Sequence, residues 1–101
     1  MSMSQREVEM RLDLVCLEIS QLQEAIWEQL ESLERCGILP AQLEEYAREV
    51  MREVSFWVDQ CTLAAQSPPV LLRRMEVHLS RLVRLRELLK KHWRAGRAET
   101  A

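Results

Sequence analysis

The chain has 101 residues and a formal net charge of −2; 48% of its residues are hydrophobic, 30% are charged, and it has two glycines and three prolines. One domain with a modest core fits this length, and the composition is too apolar for a disordered chain and too poor in turn residues for a many-stranded β protein. We therefore predict a single all-α domain over residues 1–101, with no apolar run long enough to span a membrane.

The first predicted helix covers residues 4–36. It begins with a capping-box pattern, in which Ser4 and Glu7 satisfy two backbone N–H groups that the helix leaves unpaired. Gly37 ends it in the left-handed conformation, and Ile38 then folds back onto Leu33. Its apolar stripe has helical spacing throughout and consists of Val8, Leu12, Val15, Ile19, Leu22, Ile26, Leu30 and Leu33.

The second predicted helix covers residues 40–66. Pro40 suits its first turn, where a missing N–H is tolerated, and Glu44 and Glu45 favour the positive end of the helix. Its apolar stripe steps by four and three residues without a break and consists of Leu43, Ala47, Val50, Val54, Trp57, Cys61 and Ala64.

The third predicted helix covers residues 68–95, with Ser67 as its cap and Pro68 in its first turn. Lys and Arg near its C-terminus suit the negative end of the helix, Gly96 ends it, and residues 96–101 form a frayed tail. Its core face carries Leu72, Met75, Leu79, Leu82, Leu89 and Trp93, flanked by Leu71, His78 and Leu85.

Both predicted connections are only a few residues long, and short links between long helices place consecutive helices antiparallel. The sequence therefore predicts an up-down-up bundle of three long amphipathic helices with coiled-coil-like spacing, in which helix 1 is the longest.

Helix 1 also has apolar residues on the side opposite its core stripe. Met10, Leu14 and Leu17 lie there, and a free-standing three-helix bundle buries only one face of each helix. We expect these three residues to bind a protein, either as a homodimer or as a complex with another helical partner. Phe56 and Leu63, seven residues apart on helix 2, are a second choice.

The charge is distributed unevenly. Residues 1–67 hold five Arg against thirteen Asp or Glu, a net of −8, whereas residues 68–101 hold nine Lys or Arg against three Glu, a net of +6. A basic third helix suggests nucleic-acid binding as an alternative function, since Lys and Arg that neutralise phosphates release counterions. The candidate residues are Arg73, Arg74, Arg81, Arg84 and Lys91.

Catalytic patterns are weak. The carboxylates fall on outward faces, no glycine-rich loop is present to bind phosphate, and no Cys or His spacing supports a metal site. The separation of Arg86 and His92 resembles the Arg–His signature of the HEPN-type ribonucleases, which are also helical. That resemblance implies a ribonuclease as a further alternative, although Glu87 replaces the polar residue that usually follows the Arg, and Arg73 with His78 fits the same pattern.

Three cysteines at unrelated spacings argue against a disulfide framework and favour reduced, mostly buried thiols in a cytoplasmic or nuclear protein. The sequence as a whole predicts a non-enzymatic interaction protein, such as an adaptor, an assembly subunit or a small chaperone, with no cofactor, no small-molecule substrate and no membrane contact.

Overall fold

The computed structural model describes residues 4–63 and 67–100. It contains three helices, α1 (Gln5–Arg35), α2 (Ala41–Leu63) and α3 (Pro68–Thr100), and no strand within the described residues. The predicted all-α fold is confirmed.

The Ser4 cap and the Gly37 stop of α1 form as the sequence predicts. The Ser4 hydroxyl accepts a hydrogen bond from the Glu7 backbone N–H at 3.2 Å, and this caps the first turn. At the other end Gly37 has a φ of 68°, and the Ile38 N–H donates to the Leu33 carbonyl at 3.0 Å. This is the Schellman arrangement, in which a left-handed glycine lets the chain turn back over the last helical turn.

The two prolines at the later helix starts act at slightly different positions. Pro40 directly precedes α2, and its carbonyl accepts from the Glu44 N–H at 3.0 Å. Pro68 is the first residue of α3, and the Ser67 carbonyl accepts from the N–H groups of Val70 and Leu71 at 3.1 Å each. Each proline therefore lies at the start of a helix, where the backbone N–H that it lacks would have no partner within the helix.

The predicted end of the third helix at Gly96 is wrong. α3 continues to Thr100 and has 33 residues, against 31 in α1, so α3 and not α1 is the longest helix. Gly96 lies against Ile38: a Cβ built at Gly96 would lie 2.7 Å from Ile38 Cδ1 and 3.3 Å from Ile38 Cβ. Because Gly96 has no side chain, Ile38 of the α1–α2 connection packs directly against α3 at this position, and the helix continues past the glycine.

The helices alternate in direction. Arg11 of α1 lies 3.8 Å from Glu76 of α3 near one end of the bundle, and Ile38 meets Gly96 at the other, so α1 and α3 are parallel. α2 runs in the opposite direction and packs less extensively on either of them than α1 and α3 pack on each other. The molecule is elongated, measuring 53 × 24 × 16 Å.

The core is a single cluster along the bundle axis. The three predicted stripes supply almost all of it, and Met51, which the sequence analysis did not place in the core, is also buried. Its buried members are Val8, Val15, Ile19, Ile26, Leu30 and Leu33 from α1, Ala47, Val50, Met51 and Val54 from α2, and Leu72, Met75, Leu82, Leu85 and Leu89 from α3.

Candidate interaction surfaces

The predicted second apolar face of α1 is open to solvent. Met10, Leu14 and Leu17 expose 59%, 58% and 56% of their surface, although each lies within one turn of a buried core residue. The core stripe faces α2 and α3, and these three side chains point away from both. We call Met10, Leu14 and Leu17 the α1 outer face.

The second-choice pair on α2 is only partly described. Phe56 is 55% exposed and lies edge-on to Trp57, with ring centroids 5.5 Å apart and planes at 83°. The side chain of Leu63 lies outside the described part of the chain. Phe56 is thus an exposed aromatic whose ring is held on one edge by a half-buried tryptophan.

The five residues of α3 predicted to bind nucleic acid divide into two groups. Arg74 lies over the Trp57 ring at 4.5 Å from its centroid, and Arg81 pairs with Glu53 of α2 at 3.1 Å. These two arginines join α3 to α2. The other three are exposed and form no ion pair with any described residue; they are Arg73, Arg84 and Lys91.

His78 is the one buried polar residue in the described core. Its ring stacks with Trp57 at 6.2 Å, and its Nδ1 lies 3.5 Å from Arg81 Nη1. Burial lowers the pKa of His78, the positive charges of Arg81 and Arg74 lower it further, and Glu53 opposes them. A neutral imidazole fits this place, because Nδ1 can then accept from the guanidinium.

The cysteines are less buried than predicted. Cys36 is exposed, and Cys16 and Cys61 are half-buried at the α1–α2 contact, where the two thiols hydrogen-bond each other. Burial raises the pKa of Cys16 to about 12, with Cys61 and Asp13 acting in the same direction. Burial also raises the pKa of Cys61, against the hydrogen bond to Cys16. Both are therefore protonated, unreactive thiols at neutral pH.

The residues of the ribonuclease-like patterns lie at different grooves of the bundle, and the described residues include no metal-ligand cluster. Arg86 lines a groove between α1 and α3 that His92 does not line. No three His, Cys, Asp or Glu side chains in residues 4–63 and 67–100 are grouped as a metal site would require. Arg86 and His92 therefore do not line this groove together, whereas Arg73 and His78, which fit the same spacing, both line a groove between α2 and α3.

Comparison with known proteins gives no further guide: no family model matches the chain, and no match was found among curated proteins or solved structures. Over the described ranges, no helix combines the length and the apolarity that crossing a bilayer demands.

Proposed function

We propose that this chain is a helical protein-interaction module that binds a protein partner through the α1 outer face. The observation that carries the proposal is the exposure of three large apolar side chains, Met10, Leu14 and Leu17, at more than half of their surface each. They occupy two consecutive turns of one helix, so they form a continuous stripe and not scattered apolar residues.

Covering this stripe would be favourable. Complete burial of a Leu or Met side chain is worth about 1.5–3 kcal/mol, so covering the exposed half of three such side chains offers roughly 3 kcal/mol before association costs. That amount is a sizeable fraction of the free energy of unfolding of a small domain. A stripe of this kind suits a groove or helix on the partner, as in recognition of amphipathic helices.

Charged residues of both signs flank the stripe and set its selectivity. Asp13 and Glu18 are exposed on either side of it, and Arg6 and Arg11 are exposed within one turn of Met10 and Leu14, so a partner whose charges complement this mixed pattern beside its apolar contact is favoured. The chain then acts as an adaptor or assembly subunit. Phe56 on α2 is the candidate for an additional contact.

The test replaces Leu14 and Leu17 with Glu in the full chain. We expect the helical circular dichroism signal to persist, because neither side chain contributes to the core, and complex formation to be lost in sedimentation and in capture from the native extract. The matched control is Gln42→Glu with Tyr46→Glu, which adds the same charge at exposed positions of α2, away from the stripe. If the Leu variant and the control retain the same complexes, the α1 outer face has no binding role.

A further inference from the structure

Two rows of exposed residues run along the outward sides of α1 and α3 with the same spacing. The α1 row is Met10, Leu17, Glu24 and Glu31, and the α3 row is Val70, Val77, Arg84 and Lys91. Members of each row are seven residues apart, which keeps them on one side of a helix. All eight side chains are exposed.

The two rows are complementary in the same direction. Each begins with two apolar residues and ends with two charged ones, and the charges are acidic on α1 and basic on α3. A parallel alignment sets apolar beside apolar and Glu beside Arg or Lys at every heptad. An antiparallel alignment would set apolar residues beside charges, and pairing the α1 row with itself in parallel would oppose Glu to Glu.

The charged members of these rows form no ion pair within the described part of the chain. Glu24, Glu31, Arg84 and Lys91 form no ion pair with any described residue, whereas the ion pair Arg81–Glu53 links α3 to α2 at 3.1 Å. Within one chain the rows cannot meet, because α1 and α3 pack through their core faces and both rows lie on the far sides.

We propose that the occupant of the α1 row is the α3 row of a second copy of this chain, docked with the two helices parallel. This deepens, and rests on, the proposed interaction function, since it names the partner of the α1 outer face. Leu14, between the first two positions, then packs on the aliphatic stem of Arg73 of the next copy, whose charged head stays in water.

The contact is heterologous, because it joins two different surfaces. Each pair leaves one α1 row and one α3 row free, so copies add in the same orientation until a ring closes or a filament grows. Apolar contacts supply the affinity, and the Glu–Arg and Glu–Lys contacts fix the parallel direction and the register.

The experiment is sedimentation of the full chain at up to about 1 mM, where even weak association is detected. We expect species larger than twice the 11.9 kDa chain. Glu24→Lys with Glu31→Lys, and separately Arg84→Glu with Lys91→Glu, should each weaken association at least about tenfold, since like charges then face each other. The control is Glu9→Lys with Glu34→Lys, the same charge change at exposed positions outside the row.

Mixing gives the decisive result. The α1-row variant retains an intact α3 row and the α3-row variant retains an intact α1 row, so an equimolar mixture should assemble although each variant alone does not. The two altered rows carry exchanged charges that also complement each other, so the mixture should grow beyond a dimer with the two variants alternating. A chain with all four changes keeps its net charge and should recover assembly through exchanged charges. A monomeric wild type, a mixture that stays monomeric, or a fourfold variant that fails to assemble while remaining helical would overturn the proposal. If self-assembly fails in this way but the variant Leu14→Glu with Leu17→Glu still loses binding to a different protein, the proposed interaction function is retained.

Discussion

Replacing Gly96 with Ala tests the packing that lets α3 continue past its predicted end. In an exposed helix interior this change stabilises by about 0.8–1.0 kcal/mol, because alanine loses less backbone freedom on folding. Here the new methyl group would lie 2.7 Å from Ile38 Cδ1 and 3.3 Å from Ile38 Cβ and Cγ2. Those distances are well inside van der Waals contact, so the methyl group must displace Ile38.

The higher helix propensity of alanine stabilises the protein, whereas the displacement of Ile38 destabilises it, and the packing around Ile38 determines which effect is larger. Inserting a methyl group into a packed contact costs about 1–3 kcal/mol. The Cδ1 atom can rotate away, but Cβ and Cγ2 are close to the backbone, and that backbone is held by the bond from the Ile38 N–H to the Leu33 carbonyl. We therefore expect Gly96→Ala to destabilise the protein by roughly 1 kcal/mol in spite of its higher helix propensity.

Urea unfolding followed by circular dichroism measures the change, in a double-mutant cycle with Ile38→Ala. Alanine removes both Cδ1 and Cγ2 of the isoleucine, so Gly96→Ala should become nearly neutral in that background, with a coupling energy of about 1 kcal/mol. Distant sites add to within about 0.3–0.5 kcal/mol. If Gly96→Ala stabilises the wild type by its full propensity, or if the two changes simply add, Ile38 does not contact Gly96 as described.

Two further predictions concern the titratable groups. Burial and Arg81 lower the pKa of His78 in the folded state, so the folded protein favours the neutral imidazole. The resulting contribution to the free energy of unfolding is fully present above the unfolded pKa of about 6.5. It is lost as the pH falls from there through the folded pKa. Urea unfolding between neutral pH and pH 5 should show the wild type losing more stability than His78→Gln, and parallel curves would contradict this. Iodoacetamide at pH 8 should alkylate the exposed Cys36 first, and Cys16 and Cys61 only on unfolding, because both are half-buried, burial raises the pKa of Cys16 to about 12, and burial also raises the pKa of Cys61. Equal rates in timed peptide mass spectrometry would refute it.

Local signals predicted most of the fold. The Ser4 cap, the left-handed Gly37 and the proline before or within each later helix depend on neighbouring residues alone, and all of them form. The core stripes were also predictable, because helical spacing determines which residues share a face whatever the helix packs against.

The features that were missed depend on contacts between helices. Gly96 ends a helix by local rules, but the approach of Ile38 makes it a packing residue within one. The adjacency of Cys16 and Cys61 and the position of Trp57 beneath Arg74 follow from how α2 is rotated against its neighbours. Spacing within one helix does not specify that rotation, so the sequence analysis could not predict that these residues are neighbours.

Some charged residues of the bundle find a partner in their own chain. Arg48 pairs with Glu44 at 3.0 Å one turn away and lies over the Trp27 ring of α1 at 5.4 Å from its centroid. Glu53 of α2 pairs with Arg81 of α3, whereas Glu24, Glu31, Arg84 and Lys91 form no ion pair with any described residue. In a chain that stays monomeric, both rows face only solvent, and solvation does not require acidic residues on one helix and basic residues on another at equal intervals. Separation of the two signs favours an assembled state, because each row then meets its opposite only when another copy arrives.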